Sequence, residues 1–163
     1  MPPFASGLNR LSECSSMNEE YNFVLIPPAS VPLWWPQLEA LLIARPETWE
    51  KYMELSTIYD WLTSGELQFG SVLRKTELVV AALCRVQDFD RRRVFVAVWA
   101  GGEAWPKVGG LLTESLEHLA KSWGCSEFQI EAQRKGWCRE MQKFGFTTKR
   151  YIVSKELKPL TLN

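Results

Sequence analysis

The sequence is short of the residues that most often carry chemistry. It holds one histidine, His118, and its four cysteines, Cys14, Cys84, Cys125 and Cys138, form no CxxC pair. His118 completes a usual zinc set with none of them, so no metal site is expected. Thiols scattered in this way fit a reduced, intracellular setting rather than a disulfide framework. Charge of one sign is also lacking, since 19 basic residues balance 19 acidic ones. The chain as a whole therefore carries no strong field for nucleic acid or an anionic membrane. No apolar run reaches the roughly 20 residues that span a bilayer, and the opening MPPFASGLNRLSE has no signal-peptide apolar core. A soluble, unsecreted protein without internal repeats is expected.

What the sequence does have is apolar and aromatic surface. At 163 residues and 46% hydrophobic content it is one domain by length, able to bury about 70% of its unfolded surface. Residues 1–20 are rich in Ser, Pro, Asn and Glu and are expected to be a flexible arm. Residues 21–163 form the single domain. The run Arg91, Arg92 and Arg93 stands without interleaved aromatics and is expected to be a solvated turn.

The organising stretch runs from Arg93 to Tyr151. RVFVAVWA, Arg93 to Ala100, is a β-branched and aromatic strand ending on Gly101 and Gly102. From Glu103 to Trp123, Trp105, Val108, Leu112, Leu116, Leu119 and Trp123 recur at helical spacing, with Gly124 as the stop. Phe128 to Ala132 reads as a short buried strand, and strand, helix and strand together predict a right-handed parallel crossover. A helix over Gly136 to Phe144 follows, stopped at Gly145, and FTTKRYIVSKEL is expected to be the closing strand.

Upstream, Tyr21 to Pro28 is an opening strand stopped by two prolines. A helix is expected with Pro36 in its first turn and Leu38, Leu41 and Leu42 as its stripe, ended by Pro46. Trp34 and Trp35 are expected to serve packing. Thr48 to Leu55 makes a short amphipathic segment. A further helix starts at Ser56 or Thr57, with Thr57 and Asp60 at capping-box spacing, and stops at Gly65. Strands Leu67 to Arg74 and Glu77 to Gln87, turning at Lys75 and Thr76, lead through a loop from Asp88 to Arg92 into the central strand. The fold class is thus α/β, with a mixed sheet.

That order of elements, with the GF pair at Gly145 and Phe146 and the tail Lys155-Glu156-Leu157, resembles the GNAT superfamily of acyl-CoA N-acyltransferases over about residues 22 to 157. GELQF at Gly65 to Phe69, WGC at Trp123 to Cys125 and RKGWCREMQKFGF at Arg134 to Phe146 look like the GNAT-like proteins of tailed bacteriophages.

The resemblance implies acetyl-CoA as cofactor and three chemical requirements. The first is a pyrophosphate loop of pattern Q/R-x-x-G-x-G/A, whose backbone N–H groups hold phosphate at a helix start. This chain offers GGEAWPKVGG, with Pro106 and Val108 where glycines are wanted and Glu103 where a basic or amide side chain is wanted. The implied cofactor-binding residues are Gly101, Gly102, Lys107, Gly109, Gly110 and Arg134. The second is a general base, for which Glu131 is the candidate; Asp88 and Asp90 lie in the loop before the central strand. The third is a thiolate-protonating tyrosine, which by position falls on Met141, leaving Tyr151 on the next strand as substitute. Arg134 and Lys135 also read as a basic clasp or, equally blandly, as solvated turn residues beside a buried Trp137. The expectation is a GNAT fold with a degenerate acetyl-CoA site and a structural or assembly role in a virion, found in the phage particle or the host cytoplasm. Its expected partners are other phage proteins or a second copy held through the arm. The competing expectation is an active acetyl-CoA-dependent N-acetyltransferase acting on a protein or small-molecule amine.

Overall fold

The computed structural model describes residues 20–50, 53–131, 135–149 and 154–159. Within them the chain forms β1 (Tyr21–Ile26), α1 (Val31–Ala44), α2 (Leu55–Ser64), β2 (Gln68–Arg74), β3 (Glu77–Phe89), β4 (Arg92–Gly101), α3 (Trp105–Ser122), β5 (Glu127–Ile130) and α4 (Lys135–Gln142). The chain falls into two compact units, one through Glu131 and one from Ala132.

The first unit is built on a five-stranded sheet in the order β1-β2-β3-β4-β5. β1 to β4 pair antiparallel with their sequence neighbours, and β5 lies parallel to β4 after the α3 crossover. The sheet is buried on both faces. Val31, Leu38 and Leu42 of α1 and Ile58 and Leu62 of α2 pack with Ile26, Phe69, Leu83 and Trp99 on one face. Val108, Leu112, Leu116 and Ala120 of α3 pack with Val80, Cys84, Phe95 and Ala97 on the other. Spacings of three and four along each helix supply these apolar stripes, and alternation along the strands supplies the two sheet faces.

Several boundaries differ from those the sequence predicts. α1 starts at Val31, so Pro36 lies inside the helix rather than in its first turn. Pro32 takes the early position, where a missing N–H costs nothing, and Pro36 removes only one further bond. α2 starts at Leu55 with Glu54 as the flanking residue and no side-chain cap, so Thr57 and Asp60 do not form a capping box. Asp88 and Phe89 belong to β3, which shortens the expected loop to a tight hairpin.

The second unit contains α4, which closes on a left-handed Gly145. Gly145 N–H bonds to Gln142 O and Phe146 N–H to Met141 O, the paired bonds of a glycine helix stop. Residues 146–149 and 154–159 form no strand, and the rest of the expected closing strand, including Tyr151, lies outside the described residues. The expected arm, residues 1–20, lies outside them too, apart from Glu20.

Candidate functional site

The central strand changes course at Val98. Cys84 of β3 faces Ala97 and Leu83 faces Trp99, so Val98 is an extra residue on β4. The bulge breaks the alternation, and both Val98 and Trp99 pack with the α1–α2 cluster, while Ala97 and Ala100 pack with the α3 cluster. Pairing with β5 ends at the same place. The parallel register runs from Val94–Glu127 to Ala97–Ile130, and its last bond is Glu131 N–H to Ala97 O at 3.1 Å. Among the described residues, Val98 to Gly101 have no β5 partner.

Beyond this opening, the chain turns through Gly101–Ala104 into α3. Glu103, Pro106 and Lys107 are exposed there. Lys107 and Val108 N–H both bond to Ala104 O, each at 3.0 Å, and Pro106 has no N–H. Two donors of this turn, Lys107 and Val108 N–H, are therefore engaged within the helix, and a third is absent at Pro106, where a phosphate would need them outward. Glu103 adds a negative charge beside the same turn, unfavourable to an anion.

The loop glycines have packing reasons of their own. A Cβ on Gly102, which has φ 145°, would collide with Val79 O and lie 2.7 Å from Val80 Cα. On Gly101 it would lie 2.9 Å from the Trp99 ring, and on Gly109 it would lie 2.8 Å from the Trp105 ring. Gly110 sits in the second turn of α3.

Glu131 is where the strands part. Phe128 and Ile130 pack with the α3 cluster, so alternation places the Glu131 side chain on the opposite face. It is exposed and 3.9 Å from Arg85 Nη2. Asp88 is far from this point. It pairs with Arg93 at 2.6 Å, roughly 16 Å back along the strand from Val98. The arginine run is largely neutralised: Arg92 bonds Glu127 at 2.8 Å, and Arg93 bonds both Asp88 and the Trp123 carbonyl. Met141 is buried in α4. Arg134 and Tyr151 lie outside the described residues. Among the described residues no cluster of His, Cys, Asp or Glu is arranged to hold a metal, and no helix is long and apolar enough to cross a membrane.

Sequence reasoning missed the Val98 bulge, because Val96 to Trp99 is apolar throughout and gives no sign of broken alternation. It also missed a tie between the central strand and the segment after α1. Trp99 Nε1 donates to Thr48 Oγ1 at 3.0 Å, and Trp49 Nε1 donates to Leu42 O at 2.8 Å at the end of α1.

An antiparallel sheet completed by one parallel strand, bulged where that strand departs and followed by a helix at the opening, is the GNAT fold. Solved structures agree. An aminoglycoside acetyltransferase from an uncultured soil metagenomic sample, in complex with sisomicin, matches at TM-score 0.66 and 13% identity, over 87% of this chain and 97% of that one. An acetyltransferase of Trypanosoma brucei matches at TM-score 0.61 and 15% identity, over 84% and 99%. An aminoglycoside acetyltransferase in complex with the bisubstrate analog CoA-S-monomethyl-acetylneamine matches at TM-score 0.62 and 11% identity, over 85% and 98%. At these identities the likeness is one of fold. No protein-family model matches the chain, and no curated protein does.

Proposed function

We propose that this chain is a GNAT-fold protein whose cofactor cleft survives as a backbone shape without the groups that hold and use acetyl-CoA, and that its role is structural or in assembly. The carrying observation is the start of α3. Pro106 lacks a donor, Lys107 N–H is engaged by Ala104 O, and Glu103 is exposed beside them. The setting we propose is a tailed-phage particle, supported by the resemblance of GELQF, WGC and RKGWCREMQKFGF. Calorimetric titration with acetyl-CoA and with CoA tests the cleft. No saturable heat at millimolar ligand is expected, and saturable micromolar binding would overturn the reading. Detection of the protein in gradient-purified particles, by mass spectrometry, tests the setting; its absence from them would sink the virion role.

A second reading, an active N-acetyltransferase of a protein or small-molecule amine, is favoured by the Val98 bulge and the end of β4–β5 pairing at Glu131. In that reading Lys107 holds phosphate by its side chain, and Glu131 assists deprotonation of an amine that is otherwise activated by position alone. Micromolar binding in the same titration would hand the protein to this reading.

A further inference from the structure

The exposed residues of α1 are all apolar: Pro32, Leu33, Pro36, Ala40, Ile43 and Ala44, with Leu33 77% and Ile43 56% exposed. Val31, Leu38 and Leu42 take the core side. Contiguous exposed apolar surface of this kind marks a contact. Glu39, half-buried, borders the stripe one turn before Ile43, and among the described residues it forms no ion pair. The place where the chain enters the domain lies close by. Tyr21, the first residue of β1, is opposite Arg74, and the Glu20 carboxylate is 3.9 Å from Arg74 Nε. Two residues further along that hairpin, Thr76 O accepts from Gln37 Nε2 of α1 at 3.3 Å, and Leu78 N–H donates to Gln37 Oε1 at 2.7 Å. The chain before Glu20 therefore joins the domain beside the middle of α1.

We infer that residues 1–11 of the same chain fold back and dock on the outward face of α1. The inference does not rest on the proposed function. Composition divides residues 1–19 in the way such docking needs. Met1 to Asn9 hold no charged side chain and include Phe4 and Leu8, matching an exposed stripe that holds none either. Leu11 adds a third large apolar group. Arg10 is the only basic side chain before Glu20 and is the match for Glu39. Residues 12–19, SECSSMNE, are mostly polar and suit a connector in water. Fully extended they reach roughly 26 Å, whereas a helix with its side chains is about 10–12 Å across, so the connector carries residues 1–11 past α1 to its outer side. A tether this short also holds the segment at about millimolar effective concentration, so weak apolar contacts suffice.

Trypsin cleavage after Arg10 in the full chain, followed by mass spectrometry, tests this. Leu33→Glu and Ile43→Glu, each with a thermal unfolding midpoint close to wild type, are expected to lose residues 1–10 roughly tenfold faster than wild type. That ratio corresponds to about 1.4 kcal/mol of docking when cleavage follows the open population. Phe4→Asp, which alters nothing in residues 20–163, is expected to do the same. The wild-type rate is expected to be the same at about 5 µM and about 500 µM protein, a range that would read a weak association between chains. Equal rates in wild type and the two α1 variants overturn the inference, whatever Phe4→Asp does. Protection that strengthens with protein concentration overturns it too, and gives the face to a second copy.

Discussion

The indole nitrogen of Trp99 donates to the hydroxyl of Thr48 at 3.0 Å, and that hydroxyl donates in turn to the Arg45 carbonyl at 2.7 Å. The first residue sits on the bulged central strand and the second in the turn that follows α1. The pair ties the wall on the α1–α2 face to the place where β4 and β5 part.

Thr48→Val keeps the shape of the side chain and removes the oxygen, leaving an indole N–H of a 6%-exposed tryptophan without its acceptor. Loss of about 1–3 kcal/mol of stability is expected. Thr48→Ser keeps the oxygen and is expected to lie within about 0.5 kcal/mol of wild type. Urea denaturation of the three proteins reads the difference, and equal midpoints for Val and Ser would show that the bond contributes nothing.

Gly102 separates a packing role from a ligand-binding one. Because an added Cβ meets the β3 backbone, Gly102→Ala is expected to destabilise by more than about 3 kcal/mol in the absence of any ligand. Lys107→Ala, at an exposed position, is expected to change stability by less than about 0.5 kcal/mol. Thermal unfolding of the ligand-free proteins decides. A Gly102→Ala protein as stable as wild type would mean that the glycine is there for a ligand.

The fold was legible because its signals are local. β-branched runs, the helical spacing of Val108, Leu112 and Leu116, and stops at Gly65, Gly124 and Gly145 lie in single stretches of chain, and the structure uses them as read. Spacing placed Pro36 in the first helical turn, whereas α1 begins at Val31, whose side chain packs in the core. The site was less legible because it depends on register. Nothing in VFVAVWA marks Val98 as the extra residue, and nothing in the loop glycines tells phosphate contact from a tryptophan ring or a strand backbone pressed against them. The outward apolar face of α1 was hidden for a related reason. Leu38, Leu41 and Leu42 already explain a core stripe, and only the structure shows Leu33 and Ile43 exposed on the other side of the helix.

Lys75 occupies the hairpin turn between β2 and β3 with φ 57°, a left-handed conformation that disfavours a side chain. The flanking Arg74 and Glu77 are paired in the β2–β3 ladder and joined by an ion pair at 2.7 Å, neither of which involves the side chain at 75. Lys75→Gly is expected to stabilise by about 0.5–1 kcal/mol, the relief of strain exceeding the added freedom of the unfolded chain. For a chain of this length that is a rise of roughly 1–4 °C in the melting midpoint. A fall in the midpoint would mean that the lysine side chain makes a compensating contact.

Cys84 gives the fold a sensitivity to alkali. It is buried in the α3 face of the sheet, and burial pushes its thiol far above the ordinary range. Below the unfolded value, near pH 8.5, the thiol is protonated in both states and stability does not depend on it. Above that pH the unfolded chain releases the proton while the folded one keeps it, so the folded state binds more protons and stability falls as pH rises. The slope contributed is up to about 1.4 kcal/mol per pH unit. Cys84→Ala lacks this term. At pH 7 the variant is expected to be less stable than wild type, because deleting a buried sulfur leaves a small cavity. The gap between the two should then narrow by about 1–2 kcal/mol between pH 8.5 and pH 10, as the wild type alone loses the thiol contribution. Urea midpoints of both proteins across that interval measure it directly. A gap that stays constant would mean that the folded protein lets the thiol ionise, which requires water or a cation to reach the centre of the sheet.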